Sequence, residues 1–320
     1  MELALKESHR TGFSQQLPAL APWMHAFKFG PRLYTGHFKY DGVGNTWVNE
    51  QSPDGDVEQL QRAYDRFVAG DEWSQFLRSL LTTGTTASAL AAETLIDIGS
   101  AAGRNSLLAV DCGVGAVTAV EIRENQAAQL ASILDAVADD RYRERVRAVH
   151  DPLSADDPAY GEKYAQGFDV AMSLGVLYHL ANPWQHLLNL RRIARRRAIL
   201  YTMTHQYPLA KRMWFMTPED PAWITKATSG VSWTPHYWDV TRLCREAGFR
   251  QVRIAYPPRF VRYFNSFDQP PSRGRDAVQL AAMAWHRITG QRVGAVRNHD
   301  FEYFRHHAIN PNYFAYVCEV

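Results

Sequence analysis

The sequence predicts an α/β fold: a doubly wound, mostly parallel seven-stranded sheet with helices on both faces, an N-terminal helical cap and a C-terminal insertion. Three observations predict it. Short apolar runs alternate with segments of helical periodicity from residue 94 to 256. A carboxylate and two glycines, Asp97, Gly99 and Gly103, sit where the first run meets the first helix. A second acid, Glu121, closes the next apolar run, 22 residues beyond Gly99.

The strands are expected at Thr94–Ile98, Ala116–Val120, Val146–Val149, Phe168–Ser173, Ala198–Thr202, Val252–Tyr256 and Tyr313–Val320. Between them, Arg123–Ala138 carries Ala127, Leu130, Ile133, Leu134 and Val137 at helical steps. Asn182-Pro183 supplies an N-cap and a proline at the first helical position, opening a helix to about Ala194. A helix from Tyr237 ends at Gly248, the residue type that follows a C-cap. Upstream, Asp56–Leu81 reads as two helices divided at Gly70. The run RRIARRR, residues 191–197, reads as a solvated helix end set favourably against the helix dipole. The domain boundaries follow: a cap over residues 1–90, a core over 91–256, and a substrate-shaping insertion with the final strand over 257–320.

Composition narrows the function. The formal charge is +2, from 35 basic and 33 acidic residues, which argues against a dedicated nucleic-acid binder. Three widely spaced cysteines form no metal-ligand pattern and suit a reducing compartment. No apolar stretch reaches the ~20 residues of a membrane span, and the first ten residues are no signal peptide. The expectation is a cytoplasmic protein with no membrane partner. Aromatic residues make up 12% of the chain, and eight of the nine tryptophans lie before residue 90 or after residue 205. Two explanations stand side by side: core packing, or an apolar substrate pocket built by the additions.

The motif around Asp97 decides the ligand class. A turn this tight needs glycine for its backbone angles and for close approach of a ligand. Glu121 is then placed to accept both hydroxyls of a ribose. Dinucleotides and S-adenosylmethionine (SAM) both use such an acid. A dinucleotide wants G-x-G-x-x-G, but here Gly99-Ser100-Ala101-Ala102-Gly103 lacks the middle glycine. An acid beside a pyrophosphate is also unfavourable, whereas the ammonium and sulfonium of SAM suit Asp97. A nicotinamide dehydrogenase is the alternative from another class.

With these residues in view, the chain resembles the class I SAM-dependent methyltransferases over about residues 90 to 256. FDVAMSLGVLYHLANPWQHLLNL, residues 168–190, is similar to the fourth-strand motif of the tRNA wobble-uridine carboxymethyltransferase family. FKFGPRLYTG is loosely similar to that family's N-terminal approach segment. The resemblance implies SAM as cofactor, with Asp97, Gly99, Ser100 and Gly103 at its methionine end and Glu121 at the ribose. It further implies Asp151 and Leu153 at the adenine edge, and Leu174 and Tyr178 near the sulfonium. Phe29 stands where the tRNA enzymes carry a lysine suited to a carboxylated cofactor, so ordinary SAM is expected.

Methyl transfer to a hydroxyl or acidic nitrogen benefits from a general base, and histidine suits neutral pH. His179, His205 and His236 are the candidates. His299 and His306 would share a helix face, but their spacing matches no strong metal signature, and no metal is expected. The expected acceptor is a small, partly apolar, aromatic molecule of the secondary-metabolite kind, with tRNA as the alternative partner.

Overall fold

The computed structural model describes residues 1–20, 23, 27–29, 34–35, 72–204, 214–218, 230–255 and 312–320. Its centre is a seven-stranded sheet of β1 (Thr94–Ile98), β2 (Ala116–Glu121), β3 (Val146–His150), β4 (Phe168–Leu174), β5 (Ala194–Thr204), β6 (Gln251–Ala255) and β7 (Asn312–Glu319). The spatial order is β6-β7-β5-β4-β1-β2-β3. β7 runs antiparallel to both β5 and β6, and the remaining pairings are parallel.

The central strands alternate between two buried faces, as a sheet covered on both sides requires. Leu95, Val170, Met172 and Ile199 face one apolar cluster, while Ile96, Ile98, Ala171 and Leu200 face the other. The first cluster is closed by α1 (Arg10–Leu20), α2 (Glu72–Thr82), α3 (Ala87–Ala92), α4 (Arg104–Asp111), α5 (Glu124–Ala136) and α6 (Asp140–Arg145). The second is closed by α7 (Pro158–Lys163), α8 (Pro183–Ile193) and α9 (Tyr237–Glu246). The chain leaves β1 for β2 and β3 on one side, then returns to β4 on the other, so a crevice opens above β1 and β4.

Local chemistry sets the helix starts. Asn182 caps α8, its side chain accepting from Gln185 N at 3.1 Å, with Pro183 in the first turn. Gly248 adopts φ +100° beyond α9, a left-handed turn that favours glycine. The expected strands hold to within one residue at most ends, but β5 begins four residues earlier.

That difference corrects the reading of the basic run. α8 stops at Ile193, and Arg195, Arg196 and Arg197 belong to β5. Arg195 and Arg196 are exposed, but Arg197 is only 4% exposed and is clamped onto buried Glu93. The sequence does not announce α1, α3, α6 or α7: residues 1 to about 50 read as irregular, yet Arg10–Leu20 is helical, and the other three are six residues long, too short for a periodicity to register. The first expected cap helix and residues 257–311, with the run from His299 to His307, lie outside the described residues. Among the described residues, no helix is long and apolar enough to cross a membrane.

Candidate active site

At the crevice the glycine turn is held by β2. Gly99 N and Ser100 N both donate to Val120 O, at 2.8 and 3.1 Å, and Gly103 N donates to Ser100 O at 2.9 Å. Gly99 has φ +70°, and a Cβ there would fall 2.5 Å from the Val176 side chain, so the turn and the segment after β4 touch directly. Gly103 has φ +77°, and its Cβ would strike Leu130. Ala101 is also left-handed, at φ +48°, a conformation an alanine adopts only at a cost. Its backbone N–H donates to Glu121 Oε2 at 2.8 Å. The same carboxylate accepts from Arg123 N at 3.0 Å through Oε1.

A cleft opens here, enclosing about 830 Å³ including the part that meets solvent. One wall carries Gly99, Ala101 and Asn105, and the next Glu121 and Arg123. Asp151, Leu153, Ser154 and Ala155 follow β3, and Leu174, Gly175, Val176, His179 and Leu180 follow β4. Of the expected residues, the structure therefore brings Gly99, Glu121, Asp151, Leu153, Leu174 and His179 to one cleft.

Asp151 is held by three donors. Its Oδ2 accepts from Lys163 Nζ and Tyr164 OH, both at 2.7 Å, and its Oδ1 from Leu153 N at 3.2 Å. Burial alone would raise its pKa, but these donors outweigh burial and hold it below the usual carboxylate range. It is an anion across the physiological range.

Other expected residues lie off the wall. Asp97 is buried behind the turn, where Ser106 Oγ donates to its Oδ2 at 2.6 Å. Burial, with Glu121 nearby, pushes its pKa up to about 7, against the bond from Ser106. Ser100 is buried with its hydroxyl unpartnered, and Gly103 caps the start of α4. Tyr178 packs its ring 4.0 Å from that of His179 without joining the wall. His236 is a correction: it is 2% exposed, lies away from the cleft, and caps α9 by accepting from Trp238 N. His205 lies outside the described residues. Phe29 stacks on Phe27 and meets Phe13 edge-on in the core rather than at the cleft.

Sequence reasoning missed Asn105, Arg123, Tyr160 and Leu180. Asn105 is fixed by Trp73, whose Nε1 donates to its Oδ1 at 2.8 Å. Leu180 is fixed by Trp233, whose Nε1 donates to its carbonyl at 3.0 Å. Trp233 belongs to a hairpin of Trp214–Pro218 and Val231–Pro235, and its ring meets that of Trp214 edge-on at 6.2 Å. The flanking tryptophans thus divide: Trp23 is buried core, while Trp73 and Trp233 brace cleft residues.

Beneath the β3–α7 loop, fully buried His186 accepts from Ser173 Oγ through Nε2 (2.9 Å), leaving Nδ1 to donate to Ala155 O (3.1 Å). Burial drives its pKa down to about 4, so the ring is neutral. The two buried groups oppose each other in acid. His186, lowered from 6.5 to about 4, loses stability as pH falls through that window; Asp97, raised from 3.8 to about 7, loses it as pH rises. Asp97→Asn should therefore gain stability relative to the wild type by about 2 kcal/mol between pH 5 and 7. Thermal melts across that range check this; parallel curves would refute the Asp97 assignment.

A model of a family described as "Methyltransferase domain" matches residues 61–254, more than half of the chain. The chain belongs to this methyltransferase family. Membership settles the choice that Glu121 left open between dinucleotide and SAM chemistry: the protein is a SAM-dependent methyltransferase. The N-terminal domain of EvdMO1, crystallised in the presence of S-adenosylhomocysteine (SAH) and D-fucose, is similar to the methyltransferase, with a TM-score of 0.53. That likeness is at 15% identity and covers 78% of this chain and 92% of the other. A second structure of that domain, with SAH bound, matches with TM-score 0.51 at 15% identity over 78% and 92%. A SAM-dependent methyltransferase from Mesorhizobium loti matches at 13% identity over 79% and 99%, with TM-score 0.44. A comparison with curated protein sequences finds no match.

The cleft fits a cationic nucleoside. Two carboxylates, Glu121 and Asp151, stand at the ends of adjacent strands with apolar Val120 and Leu153 on the wall between them. Tyr160, on the wall, contributes a buried hydroxyl with no partner in the protein. A pyrophosphate would instead lie against Glu121, with Asp97 close behind.

Proposed function

We propose that the methyltransferase transfers a methyl group from SAM to a small, partly apolar, aromatic acceptor. When bound, SAM supplies a methyl group activated on a sulfonium. In this reading Glu121 accepts from the ribose hydroxyls, and Asp151 with Leu153 receives the adenine edge. Gly99, with Ser100, Gly103 and Asp97 behind it, shapes the methionine end, and Leu174 and Tyr178 lie towards the sulfonium. His179 takes the acceptor's proton when the acceptor is a hydroxyl or acidic nitrogen. Because methyl transfer is an in-line displacement, positioning and exclusion of water supply much of the rate. The flanking segments, 1–90 and 257–320, shape the acceptor side.

The observation that carries the acceptor class is the bond from Trp233 to Leu180 O. It ties a tryptophan-bearing hairpin to the cleft backbone next to His179, which supports an apolar, aromatic acceptor. The near-balanced charge also favours a small molecule over tRNA. The test is methyl-labelled SAM incubated with a panel of phenols and indoles, and separately with bulk tRNA. Label should enter a small aromatic acceptor, and His179→Ala should slow that transfer about 100-fold. Label in tRNA, or in no aromatic acceptor, overturns the reading.

A further inference from the structure

Tyr160 lies on α7 at the cleft wall and is 1% exposed, yet its hydroxyl has no hydrogen-bond partner. Buried hydroxyls are almost always paired, because an unpaired one forfeits its bond to water. Its ring leans on Tyr164, with centroids 4.8 Å apart, but the two phenols are used differently. The Tyr164 hydroxyl is spent on Asp151, and that of Tyr160 is not.

The nearby carboxylates are each engaged by other donors. Asp151 accepts from Lys163 and Tyr164, Glu121 from Ala101 and Arg123, and Asp97 from Ser106. Burial, then the charge of Tyr164, Asp151, Asp97 and Glu121, holds the Tyr160 phenol well above its ordinary pKa. It is a neutral donor at any physiological pH. Surrounded by anions, it cannot serve a phosphate or carboxylate; it suits an uncharged acceptor.

Adenine offers such acceptors in its ring nitrogens, beside an amino group that a carboxylate can receive. We propose that the Tyr160 hydroxyl donates to a ring nitrogen of the cofactor's adenine, pairing with Asp151 to read the base. This rests on the reading that the cleft holds SAM with its adenine at Asp151 and Leu153. Tyr160 is then a specificity residue for the nucleobase, contributed by a helix that no glycine or carboxylate motif marks.

The test is calorimetric binding of SAH and its 1-deaza, 3-deaza and 7-deaza analogues to wild type and Tyr160→Phe. The substitution removes one oxygen, and ligand-free Tyr160→Phe should melt at or above the wild-type temperature, since an orphaned hydroxyl is lost. SAH should bind the variant about 5- to 15-fold more weakly. One deaza analogue should lose a similar factor on wild type and nothing further on the variant, the signature of a direct pair. Equal SAH affinity for both proteins overturns the proposal, as does a loss on the variant that is uniform across all four ligands. Should wild type bind no SAH at all, the reading of the cleft fails first and this proposal with it.

Discussion

Replacing Arg197 with methionine is expected to destabilise the fold by about 3–5 kcal/mol, which at this size lowers the melting temperature by about 10 °C. Arg197 grips Glu93 with two bonds, Nη1 to Oε1 and Nη2 to Oε2, each 2.7 Å, and Nη2 also donates to Leu81 O at 2.8 Å. Both side chains are buried, and the pair joins β5 to the end of α3 and the last turn of α2. Methionine would fill the space but leave Glu93 with Thr85 at 3.3 Å and half-exposed Arg196 at 3.0 Å. An incompletely compensated buried carboxylate is the costly species, more than the loss of the pair itself. The double variant Glu93→Gln/Arg197→Met should accordingly recover most of the loss. Urea titrations of the four proteins measure this cycle. A single-variant loss below about 1 kcal/mol would show that the pair does not anchor the sheet.

Glu121→Ala should weaken SAH binding about 100-fold, or about 2.7 kcal/mol. Charge-assisted hydrogen bonds contribute about 1.5–3 kcal/mol each, and a ribose offers two donors to one carboxylate. The gain is less than the sum because both oxygens are already occupied in the ligand-free protein, by the amides of Ala101 and Arg123. Binding therefore adds to or displaces existing bonds rather than filling vacant acceptors. Glu121→Gln keeps the shape but turns one acceptor into a donor, and about tenfold weaker binding is expected. Calorimetry with SAH reads both variants, with circular dichroism as the control that the glycine turn still folds. Undiminished affinity in Glu121→Ala would remove the ribose role.

The sheet was legible because its strands declare themselves locally. TLIDI and the run from Val117 to Val120 are largely apolar on both faces, as strands buried under two helix layers must be, and a glycine marks the exit of the first and the entry of the second. Glu121 and Asp151 were legible for the same reason, since an acid directly after a buried strand falls at the crevice. Arg197 was not: its partner Glu93 is 104 residues away, and three successive arginines look solvated until that partner is known. His236 misled because histidine is an uncommon helix cap, and only the bond to Trp238 N reveals the role. Tyr160 was invisible because its helix is a single short turn and a half, and because an orphaned hydroxyl is a property of packing.

The order of the strands carries a consequence for synthesis. Among the described residues, β6, residues 251–255, joins the sheet through β7, residues 312–319, which threads between it and β5. A ribosome therefore delivers β6 well before the strand that docks it, and β5 meanwhile presents a bare flank in the middle of the eventual sheet. Until some 60 further residues emerge, the nascent chain is an incomplete sheet with one sticky side, the stage at which a chaperone or a misdirected neighbour would find it.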